Sequence, residues 1–208
     1  MNISNNFVDS FAMHTKMRSE LYSSLNGEIF RSLCKFTFDL CRSIRIGGKV
    51  ILFGNGGSAA DCDHIVGELR GRYLTERDPI FAISLTDSIS TITATSNDYD
   101  YESIFSRQLK GITNEFDNLI GLSTSGISNN VIKGMELIKK IYPNINSLFI
   151  SGLISDINPN FKHHIMIPVE YKKYNVPVIQ EITMFLLHFM CEMIDGIVKN
   201  NNTKSEVI

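Results

Sequence analysis

Two serine-bearing segments, GNGGSAAD at Gly54 to Asp61 and STSGISN at Ser123 to Asn129, set hydroxyls and glycines just ahead of helical patterns. Backbone N–H groups and the positive end of a helix dipole make such a turn a natural seat for phosphate, with no lysine or arginine required in the loop. The second segment gathers Ser123, Thr124, Ser125 and Ser128 around Gly126, which is more hydroxyls than a helix cap uses and points to a bound dianion. The first can equally be a plain capped helix, with Ser58 as N-cap and Asp61 three residues on. Gly54, Gly56 and Ala59 satisfy a dinucleotide-binding spacing, but no clear acidic candidate follows about 20 residues later at a strand end. No Gly-Lys-Ser/Thr completes a Walker loop.

Proton transfer or metal binding needs other side chains. His64 and Glu68 are four residues apart in the helical pattern after the first loop, hence on one face, where they could share a metal or stand as an ordinary surface pair. Gln180 and His188 lie in VIQEITMFLLHFMCEMI, a segment after Pro177 that is apolar almost all round and so suited to a core or a subunit interface. Glu181, His188, Glu192 and Asp195 also fall on one line, as a solvated stripe would. Gln180 and His188 are about 80° apart around such a helix, compatible with one site.

Unbroken apolar runs at Val50 to Phe53, Ile80 to Leu85, Leu119 to Leu122, Ser147 to Ile150 and Ile165 to Val169 alternate with helical patterns. They predict a parallel sheet covered on both faces, with both serine loops at the carboxyl ends of strands, where ligands bind such sheets. Two helices precede it, one through Phe7, Phe11, Met17 and Leu21 and one from Ile29 to Ile44, stopped by Gly47 and Gly48. With 208 residues and 43% apolar content, one domain is expected over 1–208, the helices of 1–46 preceding the sheet and 200–208 forming a loose polar tail. A net charge of −2 gives no field favouring nucleic acid or an anionic membrane. Cys34, Cys41, Cys62 and Cys191 form no CxxC pair and read as reduced core residues, and without a leader or spanning segment a cytoplasmic protein is expected.

The run GNGGSAAD-x-x-H-x-x-x-E-x-x-GR, together with ISLTDS, SNDYDYESIFSRQ, GLSTSGISNNVIK and IQEITMFLLHFMCEMID, resembles the sedoheptulose 7-phosphate isomerases (phosphoheptose isomerases) of the sugar isomerase (SIS) fold, from about Gly47 to Asp195. The resemblance implies a three-layer α/β/α sandwich with a central parallel sheet, and a homotetramer built with the N-terminal helices and holding active sites at subunit interfaces. It assigns Ser58, Ser123, Ser125 and Ser128 to the sugar phosphate, with Asn55 and Thr124 nearby. His64, Glu68, Gln180 and His188 match a zinc site, one ion per subunit, and Glu68 and His188 match the acid/base pair. Arg72, Asp87, Asn97, Asp98 and Gln180 match positions that can line the substrate pocket. The implied reaction is aldose-ketose isomerisation through an enediol, for heptose and glycan synthesis. A non-catalytic phosphosugar binder, including the DnaA-associating type of this fold, is the alternative. Two departures bear on substrate choice: Val178 stands where many relatives carry Arg, and SGLISDIN replaces a Gly-rich stretch.

Overall fold

A computed structural model describes residues 3–25, 27–153, 161–170 and 175–205. The five apolar runs are strands β1 (Val50–Gly54), β2 (Ala82–Ser84), β3 (Asn118–Ser123), β4 (Asn146–Leu153) and β5 (His163–Glu170). They form one sheet in the order β2-β1-β3-β4-β5, and every neighbouring pair is parallel. β1 and β3 are buried along their whole length, so neither needs a polar alternate face. Strand order reverses about β1, which has β2 on one side and β3 on the other. The loops leaving β1 and β3 therefore diverge from adjacent strand ends, the crevice in which open α/β sheets hold ligands.

Alternate side chains supply two cores. Val50, Leu52, Ile120, Leu122, Leu148 and Ile150 pack with α2 (Gly27–Ile44), α3 (Gly57–Arg70) and α7 (Val176–Ser205). On the other face Ile51, Phe53, Leu119 and Phe149 pack with α5 (Ile104–Ile112) and α6 (Asn129–Ile141), while α4 (Ile89–Asp98) follows β2. The result is the α/β/α sandwich expected from the sequence. Cys41, Cys62 and Cys191 are buried, Cys34 is half-buried, and all four are free thiols.

Three features differ from the sequence reading. The line of polar residues on α7 is a solvated stripe only in part: Glu181 and Glu192 are exposed, while His188 is half-buried and Asp195 buried. Asp195, 2% exposed, accepts 2.8 Å from Arg77 Nε and 2.9 Å from the N–H groups of Leu74 and Thr75, and Glu181 accepts 2.8 Å from Arg18 of α1 (Ile3–Ser24). Second, α7 continues through Ser205, into the segment expected as a loose tail, while residues 206–208 lie outside the described residues. Third, only the C-terminal half of α1 meets the core. Met17 and Leu21 pack there, whereas Phe7 and Phe11 are 70% and 75% exposed. Of the SGLISDIN departure, residues 154–158 lie outside the described residues. Among the described residues no helix is long and apolar enough to cross a membrane.

Candidate active site

β1 ends on Gly54, where a Cβ would meet Ser58 Cβ at 2.8 Å and the Leu122 carbonyl at 3.1 Å. Glycine lets the strand end, the following helix and β3 close on one another. Gly56 then takes φ 57°, a left-handed conformation suited to glycine, and is itself the N-cap of α3. Ser58 is thus not the cap. It lies in the first turn, 4% exposed, and no side chain caps the helix. Asp61 accordingly is no capping-box partner: its Oδ2 is buried with no partner among the described residues, and burial, partly offset by His64, holds its carboxyl above the usual range.

In the second loop the hydroxyls converge. Ser123 Oγ donates to Ser128 Oγ at 2.8 Å and accepts from the Ser128 N–H at 3.4 Å, while Ser125 Oγ lies 3.5 Å from Ser123 Oγ and accepts from the Ile127 N–H. Gly126, at φ 70°, allows the turn. Ser128 is the N-cap of α6 by position, yet its hydroxyl makes no capping bond. The Thr124 carbonyl accepts from Gly152 N–H of β4 at 3.2 Å, pinning the loop to the sheet. Asn55 joins the two loops through a side-chain pair with Asn130, at 2.8 Å in each direction.

His64 and Glu68 do share a face of α3, and α7 brings His188 to them. Nε2 of His64 stands 2.9 Å from Nε2 of His188 and 3.4 Å from Glu68 Oε1, and one ligand atom from each residue lies within 4.8 Å of the others. Tyr73 stacks on the His188 ring at 5.5 Å. Burial, with the neighbouring His64, holds His188 below the ordinary imidazole pKa despite Glu68, which favours the neutral ring a metal or a proton donor's oxygen requires. Gln180 lines a cavity of about 700 Å³ with His188, Asp61 and Tyr73. It also covers the start of α3, since a Cβ on Gly57 would fall 2.0 Å from Gln180 Nε2. That amide lies between the His64–Glu68–His188 cluster and the first loop.

This donor set fits zinc. Tetrahedral bonds of about 2.0–2.1 Å put ligand atoms about 3.4 Å apart. The His64–Glu68 separation already has that value, and the two imidazoles need only exchange their mutual hydrogen bond for a shared ion. Gln180 offers a neutral oxygen in the same cavity. Arg72, Asp87, Asn97 and Asp98, by contrast, are exposed, with Asn97 bonded to its neighbour Asp98 at 3.0 Å. Within one chain they are not drawn into the cluster. Tyr73, Asn130 and Tyr101 were not singled out from sequence. Tyr73 directly follows the GR of the first motif, and Asn130 sits in SNNVI, but nothing local marks either as a partner of His188 or Asn55.

Comparison with known proteins agrees with this geometry. A SIS domain model matches residues 22–142, more than half of the chain and both serine loops. Phosphoheptose isomerase 1 of Campylobacter jejuni is 40% identical over 157 residues, covering 75% of this chain and 81% of that protein. The structure of phosphoheptose isomerase from Neisseria gonorrhoeae aligns with a TM-score of 0.74 at 25% identity, over 94% of this chain and all of that one. A phosphoheptose isomerase from Francisella tularensis, at 24% identity, shares the fold with a TM-score of 0.80 over 93% and 98% of the two chains. The chain belongs to the phosphoheptose isomerase family of SIS-domain proteins.

Proposed function

We propose that this chain is an aldose-ketose isomerase that converts sedoheptulose 7-phosphate to a heptose 7-phosphate for heptose and glycan synthesis. The meeting of Glu68 with His64 and His188, beside two loops suited to a phosphate, carries this reading. A non-catalytic sugar binder would need the loops but not the cluster.

The hydroxyls of Ser58, Ser123, Ser125 and Ser128, with N–H groups at the starts of α3 and α6, hold the phosphate, and Asn55, Thr124 and Gln180 orient the chain of the sugar. Glu68 removes a proton from C1 of the ketose, which leaves an enediol, and returns it to C2. His188 moves the hydroxyl proton between the oxygens on C2 and C1. C1 is oxidised from alcohol to aldehyde while C2 is reduced from ketone to alcohol, so no outside electron carrier is needed. A zinc ion held by His64, Glu68, Gln180 and His188, one per subunit, would stabilise negative charge developing on the enediol oxygens.

The assembly in this reading is a homotetramer whose active sites lie at subunit interfaces. It is supported by α1, which presents Phe7 and Phe11 beyond its own core, and by Arg72, Asp87, Asn97 and Asp98, which stand exposed where a neighbouring copy can enclose the substrate. Four free thiols suit a cytoplasmic setting.

The test is incubation with sedoheptulose 7-phosphate, with and without chelator, following aldose by NMR and metal by elemental analysis. Aldose formation with solvent deuterium at C2 supports the reading. Tight binding of the ketose phosphate with no turnover, in metal-loaded protein, would favour the non-catalytic binder.

A further inference from the structure

The two phosphate-suited loops are joined by a small polar network whose direction is fixed at one end by the backbone. Val131 N–H can only donate, and it donates to Asn130 Oδ1 at 3.0 Å. The Asn130 carbonyl is thereby set, so its amide nitrogen faces Asn55 Oδ1, while Asn55 Nδ2 returns a bond to Asn130 Oδ1, both at 2.8 Å. Asn55 Oδ1 must then accept from the hydroxyl of Tyr101 at 2.9 Å. Each bond in the chain has a fixed direction, and neither residue can flip its amide without setting carbonyl against carbonyl or turning the Asn130 NH2 onto Val131 N–H, which also donates to the Ser128 carbonyl at 3.0 Å. One proton of Asn55 Nδ2 is used by Asn130, which leaves the second for a ligand.

Tyr101 reaches this network from outside both loops. It opens the single helical turn Tyr101–Ser103, and Glu102 in that turn accepts 2.9 Å from Asn129, the first residue of α6. The turn is therefore fastened to the second loop by Glu102 and to the first by Tyr101. Asn130 is 3% exposed and Tyr101 54% exposed.

We propose that Tyr101 and Asn130 are positioning residues for the isomerisation: they lock the Asn55 amide and hold the two anion-binding loops at a fixed separation before substrate arrives. The inference deepens the isomerase reading and rests on it for its substrate. The contribution belongs to binding more than to chemistry, because Glu68 and His188 stand on α3 and α7, outside the network.

Tyr101→Phe removes one hydroxyl from an exposed ring and should leave the fold intact. In the full-length protein, KM for sedoheptulose 7-phosphate and the dissociation constant for inorganic phosphate, measured by calorimetry, should each rise about three- to tenfold, the usual worth of one hydrogen bond. kcat should change less than about twofold and the thermal midpoint should hold. Asn130→Asp should weaken phosphate binding at least as much, and adding Tyr101→Phe to it should cost little more, since one network is lost once. Unchanged phosphate affinity and KM in Tyr101→Phe, or fully additive losses in the double variant, would overturn the proposal. A wild-type protein that binds phosphate without isomerising, while Tyr101→Phe weakens that binding, would sink the isomerase reading and leave the clamp standing.

Discussion

At the mouths of β1 and β3 the polar groups bond chiefly to one another, whereas between α3 and α7 a cavity lined by Asp61, Gln180 and His188 leaves bonding capacity to spare. Ser123, Ser128, Asn55 and Asn130 find partners within the loops. Glu68, His64 and His188 share two close approaches among three residues, and Asp61 Oδ2 nearby has no partner among the described residues. A phosphate keeps its charge throughout the reaction, so its seat can be built rigid in advance. Groups that move protons must accept more than one protonation state, and a cluster with spare donors and acceptors can do so.

The sharpest way to separate the two regions is Glu68→Gln, which keeps shape and removes basicity. kcat should fall about 10²–10⁴-fold, the range for loss of a general base, with phosphate affinity unchanged. Loss of phosphate binding in the same variant would show that the regions are not separable. Asp195→Asn attacks the support of the cluster instead. It leaves Arg77 buried beside a neutral partner, and unfolding free energy in denaturant should drop by about 3–5 kcal/mol. Ser125→Ala strikes the cradle, and removing one hydrogen bond to a dianion should raise KM roughly tenfold or more while kcat barely moves.

The smallest effects concern pH. His188 is held below its ordinary value of 6.5 by burial and by His64, so kcat/KM should hold at pH 6.5 and develop an acid limb only below it. An acid limb centred above 6.5 would contradict that environment. Burial likewise lowers His163, with Lys162 adding to the effect, and His164. Their unfolded forms take up protons first, so stability is full above pH 6.5 and declines as acid passes through that value towards the folded pKa. Thermal midpoints between pH 7.5 and 5.5 measure this.

The sheet was legible in the sequence because burial on both faces leaves unbroken apolar runs, and Val50 to Phe53 became the heart of β1. The His64–Glu68 face was legible because helical spacing is local. Ser58 was misplaced as a cap because the turn is made by Gly56, whose positive φ starts the helix earlier than a hydroxyl-capped reading allows. Asn130 and Tyr101 escaped because an amide pair bridging 75 positions has no periodicity to betray it. Asp195 resembled solvent-facing charge until Arg77 and the Leu74–Thr75 backbone closed around it. Val178, where many relatives carry Arg, is 3% exposed and belongs to the core under α7.

Gly57 carries one more implication. The atom that crowds it is the tip of a flexible side chain, Gln180 Nε2, and not backbone. A single methyl there would be accommodated by evicting that amide, with the chain still able to fold. A Gly57→Ala chain would thus keep its core and lose the resting place of the Gln180 amide.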